Sequence, residues 1–149
     1  MSLSYDVFTE AFLQKIKEYD FLAFDDSDSA AIVDGYMRRA IAQFQKICKY
    51  DLSSRVDNYE RVFCAEIADE DLDELVDIVS EGMVVQWLKP YVYHQENLEN
   101  VLNTRDFTTY SPAELLMRIG EAYNHAKDDF TQMIREYSYA HGDLTELHL

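Results

Sequence analysis

Two cysteines, four histidines and a large set of carboxylates are the side chains of this sequence that could carry chemistry. Cys48 and Cys64 lack the Cys-x-x-Cys companions of a zinc site, and no two histidines have the His-x-x-x-His spacing that shares one helix face. Cys48 falls on the apolar face of a predicted helix and Cys64 in an apolar run, whereas a nucleophilic thiolate needs an electropositive, partly exposed position. We therefore expect structural thiols, no metal site and no cofactor.

Carboxylates concentrate between residues 66 and 81, where eight occur without a lysine or arginine among them. Half of them fall in the first turns of a predicted helix, where negative charge suits the positive end of the helix dipole. The pattern is typical of a solvated helix face, and a functional acidic surface or acid–base catalysis are the alternatives. The candidate acidic surface consists of Glu66, Asp69, Glu70, Asp73, Glu74 and Asp77.

The glycine-rich phosphate loops and the Gly-x-Ser-x-Gly motif of hydrolases do not occur in the sequence, so we expect no enzyme activity. The net charge is −16, from 29 acidic and 13 basic residues. This charge argues against direct nucleic-acid binding, which depends on clustered lysine and arginine. The longest apolar stretch, Met83 to Leu88, is too short to span a bilayer, and the first residues lack a signal peptide pattern. We expect a soluble protein made in a cytoplasm, with no membrane partner.

Four glycines and two prolines are few for an all-β chain, and the apolar spacing is helical. It predicts helices over 5–19, from the acidic stretch 25–29 to about Tyr50, from Asp69 to Pro90, and over about 96–102. Residues 62–67 are a candidate short strand, and 104–110 a loop. Pro90 should stop or kink its helix, because proline has no amide hydrogen to donate.

The clearest local signal is a helix start in which Ser111 is the cap, Pro112 the first helical residue and Glu114 the third. An apolar stripe then continues in register at residues Leu116, Ile119, Tyr123, Ala126, Phe130, Met133 and Tyr137. A helix over 112–140 would be roughly 43 Å long at about 1.5 Å per residue. This length exceeds the expected diameter of so small a domain, so we expect the helix to protrude or to pack against another subunit.

Together these patterns predict a mainly α fold, a compact helical bundle of about four to five helices with a long C-terminal helix and at most one short β element. Residues 1–149 should form a single domain, with 141–149 as a protruding or docking tail. Tyrosine suits an apolar surface with a wet edge, although core packing is an alternative for the tyrosines at this end. The candidate assembly interface consists of Tyr137, Tyr139, Leu144, Leu147 and Leu149.

Two stretches, Gly82-Met-Val-Val-Gln-Trp-Leu-Lys-Pro90 and Ile134-Arg-Glu-Tyr-Ser-Tyr139, resemble small structural proteins of tailed phages and prophages of Firmicutes. The resemblance covers about residues 60 to 140. The N-terminal half is similar, more loosely, to helical head–tail connector (adaptor) proteins. The structural signature consists of Trp87, Leu88, Lys89, Pro90, Ser111, Pro112 and Glu114.

The resemblance implies a neck or head-completion subunit of the virion, which forms a homo-oligomeric ring beneath the portal and contacts other neck and tail proteins. An acidic surface would line a DNA channel by repelling phosphate. Because copies carrying −16 repel one another, we expect a monomer or weak oligomer in isolation, ordered into a ring by the portal. The alternative is a small acidic binding protein, such as a DNA mimic that inhibits a host DNA-binding protein.

Overall fold

Helices make up most of the computed structural model, which describes residues 3–17, 30–54, 56–93 and 112–141. The helices are α1 (Asp6–Ile16), α2 (Ala30–Phe44), α3 (Asp69–Tyr93) and α4 (Pro112–His141). The strands are β1 (Leu3–Ser4), β2 (Val56–Asp57) and β3 (Val62–Phe63). The predicted fold class, mainly α with a long C-terminal helix, is confirmed. The predicted helix at 96–102 and the loop at 104–110 lie outside the described residues.

Helix α3 is the central element, and it packs against each of the other three helices. Leu75, Val79 and Met83 lie along its inner side. From residue 82 to Leu88 every position is buried. The sequence predicts this burial, because Val84, Val85 and Leu88 make the end of the apolar stripe hydrophobic on most sides. The prediction of a centrally buried helix is confirmed.

Helix α3 continues to Tyr93 with Pro90 inside it. Of the two predicted outcomes, a stop or a kink at Pro90, the stop is therefore wrong. A proline ring has a backbone φ close to the helical value, but inside a helix it removes the hydrogen bond that its own amide would donate and its ring crowds the carbonyl four residues earlier. The buried residues Trp87 and Leu88 hold the preceding turn against the core. Packing of that turn therefore outweighs the loss of one backbone hydrogen bond.

Helix α2 begins after the acidic stretch as predicted but ends at Phe44, six residues before the expected end at Tyr50. At this point the side chain of Gln45 binds the backbone of the following segment and stabilises a turn. Its amide nitrogen donates to the carbonyl of Tyr50 at 2.8 Å, and its oxygen accepts from the amide of Leu52 at 2.7 Å. These side-chain-to-backbone hydrogen bonds, to residues five and seven positions along the chain, compete with continuation of the helix, and apolar periodicity does not predict them.

Helix α4 starts at Pro112, which confirms the predicted start. Its buried stripe follows the predicted positions except at the first turn, where Leu115 is buried and Leu116 is exposed. Leu115 precedes Ile119 by four residues and so lies on the same face. The helix contacts α3 through this face.

The far end of α4 is also packed against the chain's own core, so the described part of the helix does not protrude, and the other predicted outcome, packing against another subunit, stays a prediction. The side chain of Tyr137 is 0% exposed, and its ring meets that of Phe44 edge-on at 4.9 Å between centroids. The backbone amide of Lys49 donates to the Tyr137 hydroxyl at 3.2 Å. The length of α4 is accommodated because α3, at 25 residues, and the segment after α2 extend alongside it.

The three strands form one antiparallel sheet in the order β1-β3-β2, with Leu3 and Val56 both paired with Phe63. The candidate strand at 62–67 is confirmed only for Val62 and Phe63. Strands β1 and β2 were not predicted, because two residues are too few to show an alternating pattern. The sheet closes one end of the core through Phe63, whose ring contacts those of Tyr5 and Phe8.

Gly82 on α3 marks the closest approach of the helices. A Cβ atom at this position would lie 2.7 Å from the Cβ atom of Ala40 and 2.8 Å from the Phe130 ring. We expect Gly82→Ala to lower the free energy of unfolding by about 1–3 kcal/mol, as other overpacked cores do, in urea unfolding followed by circular dichroism.

Gly120→Ala on α4 is the matched control, because a Cβ atom there meets nothing within 4 Å. Alanine is the better helix former by about 0.8–1.0 kcal/mol, so this variant should be as stable as the wild-type protein or more stable. Equal effects of the two substitutions would contradict the close approach at Gly82.

Candidate functional site

The candidate acidic surface lies at the start of α3 and in the segment that leads into it. Glu66, Asp69, Glu70 and Asp73 are exposed, and they make no ion pair with another residue in the described ranges. Asp69 and Asp73 are four residues apart and share one face of the helix. These four carboxylates therefore form a solvated, negatively charged surface on the first turns of α3.

The other carboxylates of the same run differ: Glu74 of the candidate acidic surface is half-buried, and three more have the following structural partners. Asp71 is buried, accepts a hydrogen bond from the Tyr50 hydroxyl at 2.6 Å and lies 3.2 Å from the Lys49 ammonium. Asp77 and Glu81 both bind the ammonium of Lys15. The N–O distances to Lys15 are 2.7 and 2.9 Å. Asp77 therefore anchors α1 to α3, a role that its place in the candidate acidic surface did not predict.

The contacts with Asp77 and Glu81 change the pKa of the Lys15 ammonium. Burial alone would lower its pKa, but hydrogen bonds from the ammonium to Asp77 and Glu81 and the charges of these carboxylates raise the pKa overall. The folded state therefore keeps this ammonium charged to higher pH than the unfolded chain does.

Arg61 makes several charged hydrogen bonds that the sequence analysis did not predict. Its Nε and Nη2 atoms each donate to the carboxylate of buried Asp34 at 2.8 Å, and Nη1 donates to Asp6 at 2.8 Å. The backbone of Arg61 has a φ of 57°, and its carbonyl accepts from the amide of Tyr5 at 2.9 Å. The residue joins the sheet to α1 and α2, so its role is structural.

The sequence signal for this contact is weak, because the three residues are separated by 27 and 55 positions. From the sequence alone, an arginine in a polar segment fits a solvent-exposed position as well as it fits this contact. Its hydrogen bond to Asp34 is the largest of the effects that raise the pKa of the Arg61 guanidinium above its ordinary value. The guanidinium therefore stays charged over the whole working pH range.

The two cysteines are free, and their environments differ. Cys48 is half-buried with its Sγ atom 3.9 Å from the Tyr137 hydroxyl, and burial raises the pKa of the thiol. Cys64 is exposed, contrary to the expectation from its apolar neighbours. Its side chain points outward because the chain at Phe63 is extended, and successive residues of extended chain face opposite sides.

The described residues contain no group of three or more histidine, cysteine, aspartate or glutamate side chains placed to hold a metal ion. Among the same residues, no helix is both long enough and apolar enough to cross a membrane. Neither result identifies an activity.

The candidate assembly interface divides into three parts. Tyr137 belongs to the chain's own core, the alternative that the sequence left open, and its hydroxyl contacts the segment after α2. Tyr139 is 65% exposed and is available to a partner. Leu144, Leu147 and Leu149 lie outside the described residues.

The structural signature is largely part of the core. Trp87 and Leu88 are buried, and the Trp87 ring meets the Phe12 ring edge-on at 6.2 Å between centroids. Lys89 is exposed and Pro90 is half-buried. Pro112 begins α4, Glu114 lies 3.7 Å from the Arg118 guanidinium, and Ser111 lies outside the described residues. These roles concern folding and helix starts.

Comparison of the chain with protein families, curated proteins and solved structures finds no match.

The thiols should differ in reactivity, because a half-buried thiol with a raised pKa presents little thiolate. We expect a thiol reagent such as 5,5′-dithiobis(2-nitrobenzoate) to modify native Cys64 at least roughly tenfold faster than Cys48. The Cys64→Ser variant should show only the slow phase and Cys48→Ser only the fast one. Equal rates in the two variants would contradict the placement of these side chains.

Stability should fall in alkaline solution. Burial is the main cause that raises the pKa of Tyr137 above its ordinary value of 10.0. The unfolded chain therefore ionises this tyrosine first, and the free energy of unfolding declines as pH rises above about 10. Lys15 contributes with the same sign, because its pKa is also raised.

Urea unfolding at several pH values between 7 and 11 measures this decline. Tyr137→Phe should be less stable near pH 7, because it loses the hydrogen bond from the Lys49 amide, and its stability should depend less on pH above 10. A decline as steep in this variant as in the wild-type protein would show that Tyr137 is not responsible.

Proposed function

We propose that the protein is a phage or prophage virion subunit of the neck, a head–tail connector that assembles as a ring under the portal. The observation that carries the proposal is the exposed acidic surface at the start of α3, together with the resemblance of the Trp87–Pro90 and Ile134–Tyr139 stretches to virion structural proteins. On this proposal the ring exists in the virion neck. The isolated subunit is a monomer or weak oligomer in the host cytoplasm.

The exposed carboxylates support a channel wall rather than a DNA-binding site. Glu66, Asp69, Glu70 and Asp73 would repel the phosphates of passing DNA. A surface that binds DNA would slow its movement, whereas packaging and ejection require DNA to pass through the channel. The carboxylates at Asp77 and Glu81 are partly neutralised by Lys15, so the repelling surface is confined to the first turns of α3.

Contacts with the portal and with neighbouring subunits need apolar side chains that the chain's own core does not use. Leu116, Met117 and Tyr139 are such side chains, exposed at the two ends of α4. The buried stripe of α4 is occupied by contacts with α3. The exposed side chains of α4, rather than the predicted seam, are therefore the proposed contact positions.

Deletion of the gene from an inducible prophage tests the proposal, with the complemented strain as control. We expect electron micrographs to show free tails beside heads that are empty or leak DNA. Joined virions of normal appearance in the deletion strain would contradict a neck role.

The acidic surface can be tested separately in complemented particles. We expect the pair Asp69→Lys and Asp73→Lys to permit joining of heads and tails but to slow DNA ejection several-fold, because lysine attracts phosphate. The pair Glu121→Lys and Asp128→Lys, exposed on α4, is the control of equal charge change. The same ejection rate in both double variants would contradict the channel-wall role.

A small acidic binding protein that mimics DNA is the second candidate. The observation in its favour is the row Asp69, Asp73 and Asp77, which repeats every four residues along one face of α3, or about 6 Å per step. A tight, salt-sensitive complex with a cationic host nuclease or regulator, lost in the Asp69→Lys and Asp73→Lys double variant, would support this function against the neck role.

A further inference from the structure

A cleft of about 200 Å³ opens between α2 and the small sheet. Its walls are mostly apolar, and its floor is part of the core. The apolar lining residues include Met37, Ile41, Leu52, Val56 and Phe63. A cavity of this size holds one large side chain, and an apolar lining favours an aromatic or aliphatic one.

Among the described residues that line the cleft, Arg38 supplies the only positive charge. It is exposed, and it forms no ion pair within the described part of the chain. The neighbouring Arg61 differs, because its guanidinium is occupied by Asp34 and Asp6. An apolar side chain next to a carboxylate is therefore the chemical group that complements this cleft.

The protein presents such a group at the turn between β2 and β3. The Tyr59 side chain is 92% exposed, and the exposed carboxylate of Glu60 follows it. The Asp57 carboxylate accepts from the backbone amides of both residues, at 3.0 and 3.1 Å. These hydrogen bonds hold the backbone of the turn, so the segment that carries the tyrosine loses little backbone freedom on binding.

We propose that two copies of the protein associate reciprocally, each inserting Tyr59 into the cleft of the other and placing Glu60 beside Arg38. Asn58 lines the cleft and directly precedes Tyr59, so the cleft and the turn lie on one face of the molecule. A two-fold axis then satisfies both contacts at once, because residue i of each copy meets residue j of the other.

The charge of the whole molecule limits the strength of this association. Each copy carries −16, and the copies repel one another at low ionic strength. Burial of one aromatic ring in each direction and two ion pairs oppose the repulsion. The association is therefore weak, and it is independent of the proposed neck role.

Sedimentation velocity over a concentration series into the millimolar range, at physiological salt, tests the pairing. The wild-type protein should show a reversible monomer–dimer equilibrium. Tyr59→Ser and Arg38→Glu should each weaken dimerisation at least tenfold. Ile32→Ser and Arg39→Glu are the controls, because both residues are exposed and neither lines the cleft, and they should dimerise as the wild-type protein does.

A charge exchange makes the test specific. Arg38→Glu and Glu60→Arg alone place like charges at both contacts of a homodimer, whereas a mixture of the two variants restores opposite charges at both contacts of a heterodimer. We expect each variant to be monomeric and the mixture to dimerise. Thermal unfolding confirms that each variant is folded.

The pairing would be overturned by a wild-type protein that stays monomeric throughout the series, or by a mixture of the charge variants that stays monomeric. Dimers that persist in Tyr59→Ser would likewise overturn it, since they would use another surface. None of these results bears on the neck role, which the deletion experiment tests in virions.

Discussion

The close contact of three helices at Gly82 is the constraint on which the rest of the structure depends. Ala40 from α2 and the Phe130 ring from α4 both approach the backbone of α3 at this point. Any side chain at residue 82 would separate the helices and open the core on both sides. The all-round burial of α3 from residue 82 to Leu88 follows from this approach, since both neighbours then cover it.

The sheet end of the molecule depends on a different kind of contact. Strands of two residues cannot hold a sheet by their own hydrogen bonds. Here the guanidinium of Arg61 binds Asp34 on α2 and Asp6 on α1, and these contacts stabilise the sheet against the helices. Phe63 adds the apolar contact with Tyr5. Because the carboxylate of Asp34 is buried, loss of the arginine would leave a buried charge without its partner, which is costly in any core.

Charge is unevenly distributed over the fold. The first turns of α3 carry exposed carboxylates, while α2 from residue 35 to Phe44 contains Arg38 and Arg39 and no acidic residue. The proposed channel wall uses the first surface, and the proposed pairing of two copies uses the second together with the turn at Tyr59. The channel wall follows from the fact that ion pairs within the chain, such as those of Lys15 and Lys49, neutralise only part of the acidic run.

The sequence by itself determined the helical class, the start of α4 at Pro112 and the central burial of α3, because apolar spacing and helix caps act within a few residues. It also located the exposed carboxylates Glu66, Asp69, Glu70 and Asp73, but not the ion pair of Asp77, whose partner Lys15 comes from a distant segment. Only the tertiary structure decided that α3 passes through Pro90, that Tyr137 is core, that Arg61 joins three elements and that a cleft opens beside Arg38. Each of these depends on contacts between residues far apart in the chain, and local periodicity carries no information about which distant side chains meet.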